Sequence, residues 1–181
     1  MGATFSLGSA AFAAPFKPGN LVVARVGDGT AAPLGVAAEV FLDEYTPAGT
    51  LVQTIALPSS VSGSNRILTA SGNATSELGM TRSADGRYLV LTGYSVSPGT
   101  AAVSSSQTTD VARVIGLIAA DGTIDTSTST GDAFNGSNIR TAATVDGTSF
   151  YSVGVIGGAV PGIWQRDGHP AQCGPNQYSQ Y

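Results

Sequence analysis

The chain has 181 residues, of which 42% are apolar, 11% are charged and 24 are glycine. This length fits one domain with its own core, and the composition favours short strands joined by tight turns over helices, whose surfaces need more charge. The formal net charge is −4 and the eight basic residues stand singly along the chain, which argues against nucleic acid as a partner.

The N-terminal stretch, residues 1–18, is apolar and rich in small residues. Its Ala11-Phe12-Ala13 triplet is typical of a signal-peptide cleavage site, although the basic residues that usually precede the apolar part are missing. We therefore predict a signal-like or disordered leader and a secreted or periplasmic protein. No apolar run reaches the roughly 18 residues of a membrane-spanning helix, so no transmembrane segment is predicted.

Turn motifs recur through residues 19–161, which we predict to be one domain of β-hairpin repeats. The sequence LVVARV, residues 21–26, predicts a first strand. Four turns with β-rich sequence on both sides then predict four hairpins, hence eight further strands. An Asp-Gly pair suits a type I′ turn, in which both central residues need positive φ. The four turns are Pro47-Ala48-Gly49 and the Asp-Gly pairs at 85–86, 121–122 and 146–147.

Two of these turns carry a family-level pattern. The stretches SADGRYL (83–89) and DGTSF (146–150) resemble the turns between the two innermost strands of a blade in secreted bacterial β-propeller proteins. The resemblance implies an all-β, propeller-like array of antiparallel hairpins, here about two blades plus a fraction. Because propellers close with four to eight blades, this chain cannot close a ring by itself, and a two-sheet β-sandwich is the alternative.

The strand pattern weakens after Gly162, so we predict an irregular tail over residues 162–181. His169 in this tail is the only histidine and therefore the only candidate general base for a nucleophilic site. It lies between Gly168 and Pro170, and the chain contains no Gly-x-Ser-x-Gly motif. An exposed histidine without a catalytic role is the better interpretation of His169.

One pair of polar residues is a candidate metal site. When the turns at Asp85 and Asp146 are aligned, Glu77 falls on Asn138, each eight residues before its turn. Calcium-dependent lactonase-type propellers hold one central metal with Glu, Asn and Asp side chains at such positions. The resemblance thus implies Glu77 and Asn138 as calcium ligands, and Glu77 as a catalytic candidate; polar residues at the beginning of two strands are the alternative.

Trp164 is the candidate binding residue, because cross-strand packing accounts for most of the other aromatic side chains. We expect an extracellular, non-catalytic binding or scaffold module with a small-molecule or carbohydrate ligand. The alternative is a calcium-assisted hydrolase of a lactone or sugar ester; otherwise no cofactor is expected. Since an incomplete set of blades leaves free strand edges, we also expect self-association through strands near 21–26 or 150–155.

Overall fold

The computed structural model describes residues 13–30, 34–156 and 160–167, with the backbone alone at 156 and at 160–167. These residues form strands joined by turns and a single 3₁₀ turn, Val103–Ser105. They contain no helix with the length and hydropathy that a membrane crossing requires. The strands are β1 (Leu21–Val26), β2 (Ala37–Tyr45), β3 (Leu51–Ala56), β4 (Thr69–Ser71), β5 (Thr81–Arg82), β6 (Tyr88–Tyr94), β7 (Arg113–Ala119), β8 (Ile124–Asp125), β9 (Ser129–Thr130), β10 (Ile139–Thr144), β11 (Ser149–Ile156) and β12 (Val160–Asp167).

The strands form two antiparallel sheets, which confirms the all-β prediction. The larger sheet follows the order β1-β2-β4-β6-β7-β8, with β3 on β2, β5 on β6 and β9 on β7. The smaller sheet has the order β10-β11-β12. Within the described part of the chain the sheets do not close into a ring.

All four predicted hairpins are present, but their turn type differs from the prediction. The glycines at 49, 86, 122 and 147 have positive φ, whereas the residues before them do not. In the three Asp-Gly turns the carboxylate instead accepts a hydrogen bond from the N–H two residues further on, at 3.1, 2.9 and 3.0 Å. Aspartate therefore serves as a hydrogen-bond acceptor, and only the glycine supplies the left-handed conformation.

The β5–β6 and β10–β11 hairpins lie side by side. Gly79 and Thr141 form an isolated parallel bridge. The Thr81 hydroxyl donates to Ala142 O at 2.6 Å, and the Thr141 hydroxyl donates to Gly79 O at 2.6 Å. These contacts join residues 61 and 62 positions apart, close to the spacing of the two aligned turns. Equivalent residues of the two hairpins are therefore direct neighbours.

Three clusters of buried apolar side chains hold the sheets together. The largest lies under β2, β3, β6 and β7 and includes Leu42, Leu68 and Leu91, each at most 1% exposed. A cluster around Phe150 and Ala142 packs the β10–β11 hairpin on Val90 of β6. Burying a valine, leucine or phenylalanine side chain stabilises the fold by about 1.5–3 kcal/mol, so these contacts fix how the hairpins pack on each other.

The end of the predicted domain differs from the structure. Strand β12 pairs with β11 as far as Asp167 and so crosses the boundary that we predicted between 161 and 162. Because β11 is paired on both sides, the prediction of a free edge at 150–155 is wrong. The pairing with β11 overrides the weak strand preference of Pro161 and Gly162. The remainder of the predicted tail, with His169, lies outside the described residues, as do residues 1–12 of the predicted leader.

Candidate functional site

A cleft of about 320 Å³ opens between the segment that precedes β1 and the β5–β6 hairpin. This volume is at the lower end of the range of about 300 to 1,000 Å³ for small-molecule sites. The cleft is therefore large enough for a small molecule and too small for a folded partner. The residues that line it are Phe16, Lys17, Pro18, Gly19, Asn20, Val22, Arg82, Gly86, Arg87, Tyr88, Leu89, Ile118 and Ala120.

Glu44 fixes the first wall of the cleft. This glutamate of β2 is 0% exposed. It accepts hydrogen bonds from the Lys17 backbone N–H at 2.8 Å and from Asn20 Nδ2 at 2.7 Å. A third comes from Gln53 Nε2 at 2.7 Å. Burial alone would raise the pKa of Glu44, but these donors hold it below its ordinary value. The charged carboxylate thus anchors the residues that precede β1 to the sheet.

The turn between β5 and β6 positions the second wall. Arg82 donates from Nε and Nη2 to Gly86 O at 3.1 and 2.9 Å, which closes its side chain over the turn. Arg87 donates from Nε to Asp85 Oδ2 at 2.6 Å and stacks on the Tyr88 ring at 5.2 Å. Hydrogen bonds from the Ser83 hydroxyl and from Arg87 lower the pKa of Asp85 to about 2. Arg87 is therefore neutralised by Asp85.

The cleft gathers positive charge in an acidic protein. Lys17, Arg82 and Arg87 all face it, and in the described part of the chain neither Lys17 nor Arg82 forms an ion pair. The rings of Phe16 and Tyr88 add apolar walls. The described lining residues include no carboxylate, histidine, cysteine, serine or threonine. Such a lining can hold an anion with an apolar body.

No family model, curated protein or solved structure matches this chain.

Glu77 and Asn138 lie together in a second, partly buried polar cluster. Glu77 Oε1 accepts a hydrogen bond from the Tyr94 hydroxyl at 2.8 Å, and Oε2 accepts one from the Ser71 N–H at 3.1 Å. Burial raises the pKa of Glu77 above its ordinary value, although hydrogen bonds from Tyr94 and Ser71, the charge of Arg113 and the nearby Asn138 oppose this effect. Asn138 also donates to the Ser76 hydroxyl at 3.3 Å.

Arg113 lies beneath this cluster and is 0% exposed. Its guanidinium lies over the Tyr94 ring at 5.0 Å, and its charge lowers the pKa of Glu77. It donates to the Ser106 hydroxyl at 3.0 Å and to four backbone carbonyls at 2.6 to 3.1 Å. The network therefore joins the 3₁₀ turn region to the loop before β10. The four carbonyls belong to Val111, Ser106, Phe134 and Ser137.

The side chains around Glu77 offer fewer oxygen ligands than the six to eight that a calcium ion takes. Both carboxylate oxygens already accept hydrogen bonds from the protein. In the residues that the structure describes, no three or more His, Cys, Asp or Glu side chains form a group that could hold a metal. The assignment of Glu77 and Asn138 as calcium ligands stays a prediction.

The backbone of Trp164 lies in β12, opposite Ser152. The Trp164 side chain and all of His169 lie outside the described residues, so both assignments stay predictions.

Two features hide the cleft in the sequence. Phe16 and Lys17 fell in the predicted leader, whereas the structure shows Phe16 N donating to Ala120 O at 2.9 Å. The cations also looked isolated, because Lys17 is far in sequence from Arg82 and Arg87. The one local signal was the position of those two arginines on either side of a single Asp-Gly turn.

Proposed function

We propose that the chain is an extracellular, non-catalytic binding module of propeller-like architecture, which holds a small anionic ligand in the cleft between Lys17 and Arg82. The observation that carries this proposal is the lining of the cleft. It combines two cations without an ion-pair partner among the described residues, Lys17 and Arg82, with the aromatic rings of Phe16 and Tyr88.

Two observations support the architectural part of the proposal. The β5–β6 and β10–β11 hairpins lie side by side at the repeat spacing, and the contact at Gly79 and Thr141 is parallel. Neighbouring blades of a propeller place their inner strands in this way around a common axis. The extracellular part of the proposal rests on the signal-like Ala11-Phe12-Ala13 triplet.

The positions of the charges define the ligand class. The anionic group of the ligand contacts the Lys17 ammonium and the free edge of the Arg82 guanidinium. Its ring or aliphatic part lies against Phe16, Tyr88 and Leu89. Carboxylates and sulfates fit the arginine fork, so we infer a ring-bearing carboxylate or a sulfated sugar as the ligand.

The test is calorimetric titration with galacturonic acid and with a sulfated disaccharide, and glucose serves as the neutral comparison. We expect the two anions to bind and glucose not to bind. The double variant Lys17→Gln/Arg82→Gln is expected to weaken binding about tenfold or more, since it removes two charges from a half-open site. Added salt should weaken the binding to the native chain and have less effect on the variant.

Arg140→Gln is the matched control, because Arg140 is an exposed cation of β10 outside the cleft. It should bind like the native chain. Equal affinity of the native chain and the double variant, with both folded by circular dichroism, would refute the proposal, as would binding of neither anion.

A calcium-assisted hydrolase of a lactone or sugar ester is the second candidate function. The observation in its favour is that Asn138 lies close enough to the Glu77 carboxylate to lower the pKa of that group. The binding proposal expects millimolar calcium to leave the melting temperature unchanged in both the native chain and Glu77→Gln. Differential scanning fluorimetry checks this. A calcium-dependent rise that is present in the native chain and lost in Glu77→Gln would favour the hydrolase, because a ligand of the folded state stabilises by mass action.

A further inference from the structure

Strand β1 is a regular edge strand. It pairs with β2 over six residues without a register shift, and the described part of the chain places no strand on its other side. The N–H of Gly27 donates to Glu39 O at 2.8 Å, in continuation of this pairing. Because hydrogen-bonded pairs alternate along an antiparallel ladder, the N–H and C=O groups of Val22, Ala24 and Val26 point away from β2. The edge thus presents a row of six backbone hydrogen-bonding groups that have no partner among the described residues.

The other edge strands in the described part of the chain have features that discourage pairing with another strand, and β1 has none of them. The β2–β3 pairing contains a register shift at Glu44/Tyr45, and β8 and β9 have two residues each. The outer side of β10 receives hydrogen bonds from Gly79 and Ala84, and β12 contains Pro161. Bulges, short strands, covering segments and proline are the usual ways to block an edge.

The side chains of β1 also favour a partner. Leu21 and Val23 are 60% and 49% exposed on the outer face. The strand contains no lysine or proline, and its one charged residue is already neutralised. Arg25 donates to both carboxylate oxygens of Asp43, at 2.6 and 3.2 Å. The edge is therefore apolar, uncharged overall and free to form hydrogen bonds.

We propose that two copies of this chain pair through β1, antiparallel, about a two-fold axis beside Ala24. Ala24 then lies opposite Ala24 of the second copy, and Val22 lies opposite Val26. All six free backbone groups of each edge are satisfied by this register. This register is self-complementary. The outer faces of the two β1 strands lie on the same side of the joined sheet, and Val23 of each copy lies opposite Arg25 of the other, so the two Arg25 side chains do not face each other.

The pairing joins two three-stranded units into one continuous sheet of β3-β2-β1 and its symmetry mate. A strand of six residues buries less than the roughly 1,200 Å² of a standard stable interface. We therefore expect a reversible dimer with a dissociation constant in the micromolar range. This proposal is independent of the ligand in the cleft.

Sedimentation velocity of the full chain between about 1 µM and about 1 mM measures the association. Val23→Lys places a solvated charge on the apolar edge and is expected to weaken the dimer at least about fivefold, since the changed contact occurs twice. Within its own chain this lysine lies opposite Asp43, so the fold should be retained. Val145→Lys is the matched control, because Val145 is an exposed valine in the turn between β10 and β11, and it should leave the dimer unchanged.

Hydrogen exchange identifies the strand involved. The amides of Val22, Ala24 and Val26 should become more protected as the protein concentration rises. The proposal is overturned by a monomer at every concentration, or by a dimer that Val23→Lys leaves unchanged. Protection of these amides that does not depend on concentration would also overturn it, because the edge would then be covered by another part of the same chain.

Discussion

Replacing Arg113 with methionine is expected to lower the free energy of unfolding by about 3–5 kcal/mol, because several buried carbonyls lose a hydrogen bond, at about 1–3 kcal/mol for each group that stays unsatisfied. Methionine keeps much of the aliphatic stem of arginine but supplies none of its donors. The carbonyls of Val111, Phe134 and Ser137 would lose their hydrogen bonds from the guanidinium. Glu77 would also lose the nearby positive charge that lowers its pKa.

Urea unfolding followed by circular dichroism measures this loss of free energy. In thermal unfolding, we expect the melting temperature to fall by about 6 to 20 °C for a chain of this size. Arg140→Met is the control, because Arg140 is exposed on β10, and it should change stability by less than about 0.5 kcal/mol. Arg113→Lys is expected to lie between the native chain and Arg113→Met, since one ammonium cannot reach all the carbonyls. A cost below about 1 kcal/mol for Arg113→Met would show that the network does not stabilise the fold.

The parts of the fold that could be predicted from the sequence depend on local chemistry. Each hairpin is encoded by a turn glycine with strand-forming residues on either side, and Leu21–Val26 forms β1 as its composition indicates. The prediction of type I′ turns was wrong because the aspartates of the three Asp-Gly turns accept hydrogen bonds and do not adopt positive φ. The presence of Asp in the sequence does not distinguish these two roles.

The parts that could not be predicted depend on contacts between distant residues. Lys17 faces Arg82 only because Glu44, on a third element, holds the backbone of Lys17 in place. Arg113 is an ordinary arginine in the sequence, and its burial becomes possible only where four carbonyls from separate loops converge. Burying such a charge is costly, and Nε of Arg113 has no hydrogen-bond partner among the described residues. The carbonyls of Phe134 and Ser137, which offset part of this cost, are 21 and 24 residues away in the sequence.

Gly154→Ala is expected to destabilise the protein by about 3 kcal/mol, at the upper end of the usual cost of overpacking. A Cβ at this position of β11 would collide with the backbone carbonyl of Asn138 and would lie 2.6 Å from Cδ1 of Phe134. Phe134 cannot easily withdraw. It is 1% exposed, has a φ of 60°, and its carbonyl accepts a hydrogen bond from Arg113. The strand would have to move away from β10 instead.

Chemical unfolding of Gly154→Ala measures this cost, and Gly116→Ala is the matched control in the interior of β7. There the nearest atom to the new Cβ is Cδ1 of Leu68 at 2.9 Å, the end of a side chain, and the nearest backbone atom, Leu91 O, is 3.9 Å away. We therefore expect Gly116→Ala to cost less than Gly154→Ala. Phe134 contacts the Gly154 position and also accepts a hydrogen bond from Arg113. Gly154→Ala should therefore cost less in the Arg113→Met background, where the carbonyl of Phe134 is released. Fully additive effects would show that Phe134 does not couple β11 to the Arg113 network.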